Sequence, residues 1–171
     1  PTLLPFLPAL AGRALKAGYK EVQILTNAAA LADAGIVAAL AKCHPKAKKA
    51  LQFGVSLHAH LKADSEFLTR SKGTFEKTLA GINNLHKAGF RVTLYHVITS
   101  RTFRKLPAYA GFVTENFPWL PGITFSLIYP TPHFGSHMEL FPRVPQVVPF
   151  FDKALGLLNA AGVRANMSSC G

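Results

Sequence analysis

The chain has 171 residues, of which 49% are hydrophobic and 16% charged, and a formal net charge of +11. That length and apolar content suit one globular domain with one substantial core and exclude a disordered chain. No apolar run reaches the roughly 20 residues of a membrane-spanning helix, and two cysteines, Cys43 and Cys170, are too few for a disulfide scaffold, so a cytoplasmic protein is expected.

The opening stretch TLLPFLPALAG lacks the basic flank of a secretory signal. It reads instead as a first helix, with Leu4, Leu7, Ala11 and Ala14 on one face and Pro5 in the first turn. A strand follows over Glu21 to Thr26, and Asp33 caps a second helix marked by Ile36, Val37, Leu40 and Ala41. The segment AKCHPKAKKA places cations at that helix's C-terminus, where they complement its dipole. Next come a strand over Gln52 to Leu57, a loop containing Asp64 and Glu66, and a third helix capped by Thr74 with Phe75, Leu79, Ile82 and His86 on its face. A strand over Arg91 to Ile98 leads to a helix with Phe103, Leu106, Ala110, Val113 and Phe117 aligned. A strand over Ile123 to Tyr129, a helix marked by Val148, Phe151, Leu155 and Leu158, and a strand over Val163 to Met167 complete the order.

One pattern occurs three times: LKAGYKEV, HKAGFRVT and NAAGVRAN. In each a helix ends at a glycine suited to the left-handed cap, and a strand follows. Gly18, Gly89 and Gly162 stand at nearly equal intervals, each about two βα units long. Alternation of helix and strand predicts a parallel sheet with right-handed crossovers, either an open doubly wound sheet or part of a β/α barrel. No GxGxxG or Walker loop follows any strand, which weakens the nucleotide-binding open sheet.

Ligands of parallel β/α folds bind at the C-terminal ends of the strands. Here those ends read ILTNA, VSLHAH, YHVITSR, LIYPTPH and NMSSC, polar on nearly every strand. A single polar residue there serves a turn as readily as a ligand. His58 and His60 are two apart, so on a strand they share a face and suit a zinc-like ion, with His96, His133, His137, Asp64 or Glu66 as further ligands. This gives a metal-dependent hydrolase as one reading. The net charge gives a basic nucleic-acid-binding module as another. Apart from Lys42, Lys46, Lys48 and Lys49, however, the cations are scattered along the sequence and no nucleic-acid motif accompanies them, so neither a nucleic acid nor a membrane is the expected partner.

In their succession these segments resemble the core of the radical S-adenosylmethionine (SAM) superfamily. VSLHAHLKADSEFLTRSKGTFEKTLAGINNLHKAGFRVTLYHVIT is similar to the middle of that domain, with a strand ending Ser-Leu-His, an acidic loop, a Gly-Thr-Phe helix start and a second strand ending Val-Ile. ILTNA resembles the superfamily's strand ending Thr-Asn-Gly, with Ala28 in place of the glycine, and PTLLPF resembles the tail of its GGEPTL segment. The CxxxCxxC triad that holds the superfamily's [4Fe-4S] cluster is absent, and Cys43 and Cys170 do not replace it. The resemblance places that triad upstream of GGEP, before Pro1.

The resemblance implies a partial β/α barrel of about five parallel strands, from an enzyme that cleaves SAM reductively at a [4Fe-4S] cluster. The resulting 5′-deoxyadenosyl radical abstracts a hydrogen from a small-molecule or peptide substrate, and the electron comes from a reductant such as flavodoxin or ferredoxin. By position, Pro1 and Thr2 end the turn that meets the methionine moiety, and Ser56 offers a hydroxyl to the carboxylate or ribose. Ile98 matches the strand lining the adenine pocket, Ile128 or Tyr129 matches the next strand's contact, and Thr26 and Asn27 lie near that surface. Arg70 is a candidate for the SAM carboxylate, and His58, His60, His96 and His133 for the substrate cavity. Cys170, in the terminal SSCG, is a candidate ligand of an auxiliary cluster. Each has a plain alternative, with Ser56 closing its own turn, Ile98 in the core and Arg70 solvated. The 171-residue chain alone is expected to bind no cluster and to turn over nothing.

Overall fold

The computed structural model describes residues 2–128 and 137–168, so of the candidate residues Pro1, Tyr129, His133 and Cys170 lie outside it. Five parallel strands alternate with helices: α1 (Leu7–Lys16), β1 (Val22–Thr26), α2 (Ala34–Lys42), α3 (Ala47–Ala50), β2 (Leu51–Ser56), α4 (Lys62–Thr69), α5 (Phe75–Lys87), β3 (Arg91–Ile98), α6 (Leu106–Asn116), β4 (Gly122–Leu127), α7 (Val144–Ala160) and β5 (Arg164–Ser168). The strand order is β1-β2-β3-β4-β5, the order in which a chain of right-handed crossovers lays them down. The repeated glycines do what the pattern requires. Gly18, Gly89 and Gly162 take φ of 97°, 82° and 74°, a region open to glycine at little cost, and each turns the chain from a helix into the strand after it. Among the described residues no helix is long and apolar enough to cross a membrane.

The chain divides into two compact units. The first comprises Pro1–Ser56 and Thr69–Thr93. In it β1 pairs with β2, Val22 opposite Leu51 and Thr26 opposite Val55. Ile24, Phe53 and Val55 pack with Leu7, Ala11 and Leu15 of α1, Val37 and Leu40 of α2, and Ile82 and Leu85 of α5, all buried. Asp33 caps α2 as expected, its Oδ1 accepting the Gly35 N–H at 2.7 Å. Thr74 stands at the N-cap of α5 as expected, but its hydroxyl donates to the Ser71 carbonyl and makes no cap hydrogen bond. The proline in the first turn of α1 is Pro8 rather than Pro5.

The second unit comprises Leu57–Leu68 and Leu94–Gly171. Here β3 pairs with β4, Leu94 opposite Ile123, and β4 with β5, Gly122 opposite Arg164. Its core gathers Leu94, His96, Ile98, Phe103, Leu106, Tyr109, Val113, Phe117, Ile123 and Phe125. The expected face of α6 is therefore the buried one. That of α7 is offset, because Val147, Ala154 and Leu158 are buried while Val148 is exposed. Two further readings are corrected. The second strand ends at Ser56, which leaves His58 and His60 in the following loop, and Asp64 and Glu66 stand on helix α4 rather than in a loop.

Candidate functional site

In the first unit the end of β1 is a closed hydrogen-bonded turn. The buried hydroxyls of Thr2 and Thr26 lie 3.0 Å apart, and Thr26 Oγ1 also accepts the Ala28 N–H at 3.0 Å. Asn27 Oδ1 accepts the Ala29 N–H, and its carbonyl accepts the Thr78 hydroxyl of α5 at 2.8 Å. Asn84, one helical face along, donates its amide to the Leu31 and Ala32 carbonyls at 3.0 Å each. The turn is thus bolted to α5, and Gly81 allows the approach: a β-carbon there would lie 2.1 Å from the Ala28 carbonyl oxygen. Ala28 itself is fully buried and left-handed, with φ 57°. At the end of β2 the half-buried Ser56 makes no side-chain hydrogen bond among the described residues. Arg70, also left-handed at φ 49°, is exposed just after α4.

In the second unit the loop after Ser56 runs alongside β3. The Leu57 N–H donates to the Tyr95 carbonyl at 3.0 Å, and the Val97 N–H donates to Nδ1 of His58 at 3.1 Å, so an imidazole takes the place of a backbone acceptor. That bond fixes the proton on Nε2, and burial pushes the pKa of His58 down, keeping it neutral. His96 answers from β3, its Nδ1 donating to the Leu57 carbonyl at 3.2 Å. The ring is 1% exposed and packed against Tyr109 and Phe125 at centroid distances of 4.3 and 5.5 Å. Burial, with the neighbouring His58, lowers its pKa to about 3, so His96 is a neutral core residue and does not border an open cavity. Its Nε2 and the Tyr109 hydroxyl are both buried without a hydrogen-bond partner among the described residues.

The ring of His60 lies 6.2 Å from that of Phe112 on α6, and its pKa is lowered by burial and by Lys105. Nδ1 of His58 is taken up by the Val97 N–H and is not free for a chelating pair with His60. Asp64 is not available as a ligand either. It is buried, accepts Arg101 Nε at 2.9 Å and pairs with Lys105 Nζ; its carboxyl lies below the usual range because those bonds outweigh the cost of burial. Arg101 also stacks on Phe67 of α4 at 4.1 Å. His137 meets Glu139 at 3.1 Å. Among the described residues no group of three or more His, Cys, Asp or Glu is gathered for a metal ion, so the hydrolase reading has no ligand set here.

The end of β3 closes like that of β1. Thr99 N–H donates to Thr102 Oγ1 at 3.1 Å, the two hydroxyls are 3.1 Å apart, and the Ile98 carbonyl accepts the Ile128 N–H at 3.2 Å. Ile98 is fully buried, whereas Ile128 is half-exposed. The sequence reading missed Thr99, Thr102, Thr78 and Asn84. The T-x-x-T spacing directly after a strand was the available signal for the first two, since threonine hydroxyls habitually close such turns.

No protein-family model and no curated protein matches the sequence. Solved structures do match the fold. A radical SAM methyltransferase from Sphaerobacter thermophilus aligns with a TM-score of 0.62 at 20% identity, covering 89% of this chain and 41% of that one. Streptococcus suis SuiB, in one structure as such and in another bound to S-adenosylmethionine, aligns with a TM-score of 0.69 at 13% identity, covering 100% of this chain and 37% of that one. The likeness is one of fold, and the chain spans about two fifths of the length of these proteins.

Proposed function

We propose that the chain is part of a radical SAM enzyme and supplies a share of its SAM-binding surface. The observation that carries this reading is the turn after β1. Where the resembling sequences have the glycine of Thr-Asn-Gly, this chain has Ala28, and its backbone keeps the left-handed conformation that favours glycine, with φ 57°. An alanine held there against its preference is consistent with a turn whose shape matters more than its composition. The fold likeness to SuiB over 100% of the chain supports the same reading.

The strand ends also say which groups have capacity left for SAM. Thr2, Thr26, Thr99 and Thr102 use their hydroxyls within their own turns, and Ile98 is sealed in the core. Ser56 at the end of β2, the exposed side chain of Asn27 after β1 and the half-exposed Ile128 after β4 remain, each at its own strand end. In this reading Ser56 takes the carboxylate or ribose and Ile128 offers apolar contact to adenine. SAM, when bound with a reduced cluster, supplies one-electron hydrogen abstraction.

The residues present do not suit the cluster. Cys43 is half-buried at the end of α2, and burial raises its thiol pKa, against the thiolate that iron requires. Cys170 lies outside the described residues. In this reading the cluster's ligands come from outside these residues. A small-molecule or peptide substrate and a flavodoxin- or ferredoxin-type reductant belong to the same proposal, for the parent enzyme rather than for this chain alone.

Hydrogen exchange by mass spectrometry tests it. Saturating SAM is expected to slow exchange at Thr26–Ala29, at Ser56–His58 and at Leu127–Ile128, and Ser56→Ala to reduce that protection without lowering the melting temperature. SAM that leaves exchange unchanged at all three strand ends refutes the reading.

A further inference from the structure

The cations that look scattered in the sequence are gathered by the fold of the first unit. Three concavities adjoin one another on it. One, of about 540 Å³, has Lys16, Lys20, His44 and Lys46 on its walls. A second, of about 570 Å³, has Lys42, His44, Lys46, Lys48 and Lys49. A third, of about 360 Å³, has Arg13, Lys16 and Lys42. They share His44, Lys46, Lys16 and Lys42, so they form one continuous basic surface, and no acid lines any of them. Between Thr2 and Ala63 the acids are Glu21 and Asp33, and Asp33 is engaged as the cap of α2. None of these lysines, nor Arg13, meets a carboxylate among the described residues.

Part of this charge has a structural use. Arg13 and Lys16 stand in the last turn of α1 and Lys42 in that of α2, where cations complement the helix dipole. Lys20 and Lys46 lie outside any helix, and the single turn of α3 has little dipole for Lys48 and Lys49 to complement. We propose that this face binds the phosphate backbone of a single-stranded nucleic acid. Six lysines to one arginine is the wrong mixture for an interface with an acidic protein, where arginine and aromatics are enriched and lysine depleted. Lysine's point charge suits phosphates that arrive without fixed geometry. Tyr19, 67% exposed on the wall of the first concavity, offers a base a ring to stack on. Tyr19 is the one exposed large hydrophobic on these walls, short of the apolar face that a membrane surface would take up. The basic face adjoins the starts of β1 and β2, roughly 13 Å along β1 from Thr26 and roughly 17 Å along β2 from Ser56, so a bound strand leaves the SAM-side turns clear.

The test is fluorescence anisotropy of the 171-residue chain with a labelled single-stranded RNA of about 20 nucleotides, at salt from about 50 to about 200 mM. Binding is expected, with a log–log salt slope that falls by about 2 in Lys46→Gln/Lys48→Gln/Lys49→Gln and an affinity about 10-fold lower at the lowest salt. Tyr19→Ala is expected to weaken binding with the slope unchanged. The matched triple Lys72→Gln/Lys77→Gln/Lys153→Gln, which removes equal charge elsewhere, is expected to leave binding within about 2-fold of the parent, and melting curves establish that both triples fold. Absence of binding at the lowest salt overturns the proposal. So does an equal loss in the matched triple, which would mean bulk charge alone, and so does competition by polyglutamate or anionic vesicles at the same phosphate or carboxylate concentration.

Discussion

Acidification perturbs this fold chiefly through His96. The ring is buried among Tyr109, Phe125 and His58, and its pKa falls to about 3 from 6.5. A base whose folded pKa is depressed binds fewer protons in the native than in the unfolded state. Its contribution is therefore complete above about pH 6.5 and is lost as pH falls toward about 3. Each pH unit in that window costs about 1.4 kcal/mol, or about 2 kcal/mol at pH 5. His58 and His60, both lowered by burial first, add in the same direction. The lowered carboxyl of Asp64 acts only below its ordinary 3.8, and that of Glu139 below 4.5, so the interval from about pH 6.5 to about 5 isolates the histidines. With a urea slope of about 1.5 kcal/mol per molar, the unfolding midpoint, followed by Trp119 fluorescence, should drop by about 1 M or more between about pH 7 and pH 5. His96→Asn keeps a donor for the Leu57 carbonyl and removes the titration, so its acid slope should fall by about one proton. A midpoint that does not move over that interval, or an NMR titration placing the His96 pKa near 6.5, refutes the reasoning.

Tyr109 carries a hydroxyl that is buried without a partner among the described residues, which costs about 1–3 kcal/mol against a hydrogen-bonded one. Tyr109→Phe should therefore raise stability by about 1 kcal/mol, measured by denaturant titration. A loss of that size instead would mean that the hydroxyl is satisfied, for example by a water shared with His96 Nε2. The close approach at Gly81 predicts opposite signs for two identical changes. Gly81→Ala drives a β-carbon to 2.1 Å from the Ala28 carbonyl oxygen and should cost about 3 kcal/mol, while Gly111→Ala, on α6 with nothing within 4 Å, should gain about 0.5–1 kcal/mol. Equal effects in thermal melts would sink the assignment of the turn to α5.

The periodicities of the sequence carried the five strands and the repeated glycine caps, because each is a local rule: 3.6-residue faces, a left-handed residue, a strand after it. The strand order is not local, and alternation alone left a doubly wound sheet and part of a barrel both open. Boundaries slipped where tertiary contacts decide them. His58 reads as strand from its neighbours, yet the pairing of β2 with β1 ends at Val55 opposite Thr26, the strand itself ends at Ser56, and the segment beyond bonds to β3 instead. Asp64 reads as loop because nothing local shows that Arg101 and Lys105, some forty residues on, neutralise it within a helix. The burial of His96 was legible in principle. It alternates with Val92, Leu94 and Ile98 on one face of β3, and that face is the core.

A polar residue at a strand end is not a site by virtue of its type. Thr26 and Thr99 look as suited to a ligand as Ser56, but Thr26 Oγ1 meets the Thr2 hydroxyl and accepts the Ala28 N–H, and Thr99 Oγ1 meets the Thr102 hydroxyl, which also accepts the Thr99 N–H, so a ligand would have to break those bonds to use them. The same holds for His58 and His96, whose Nδ1 atoms serve the backbone that joins the loop after β2 to β3. Hydrogen-bond accounting thus reduces a broad polar rim to a few groups with unspent capacity, Ser56 foremost. The lysine surface at the strand starts is different, since its charges meet no carboxylate among the described residues. The two surfaces differ in what a ligand must displace: ordered internal bonds at the threonine turns, and only solvent and counterions at the lysines. Binding at the lysine face should accordingly follow salt, and binding at the strand ends should follow the geometry of the turns.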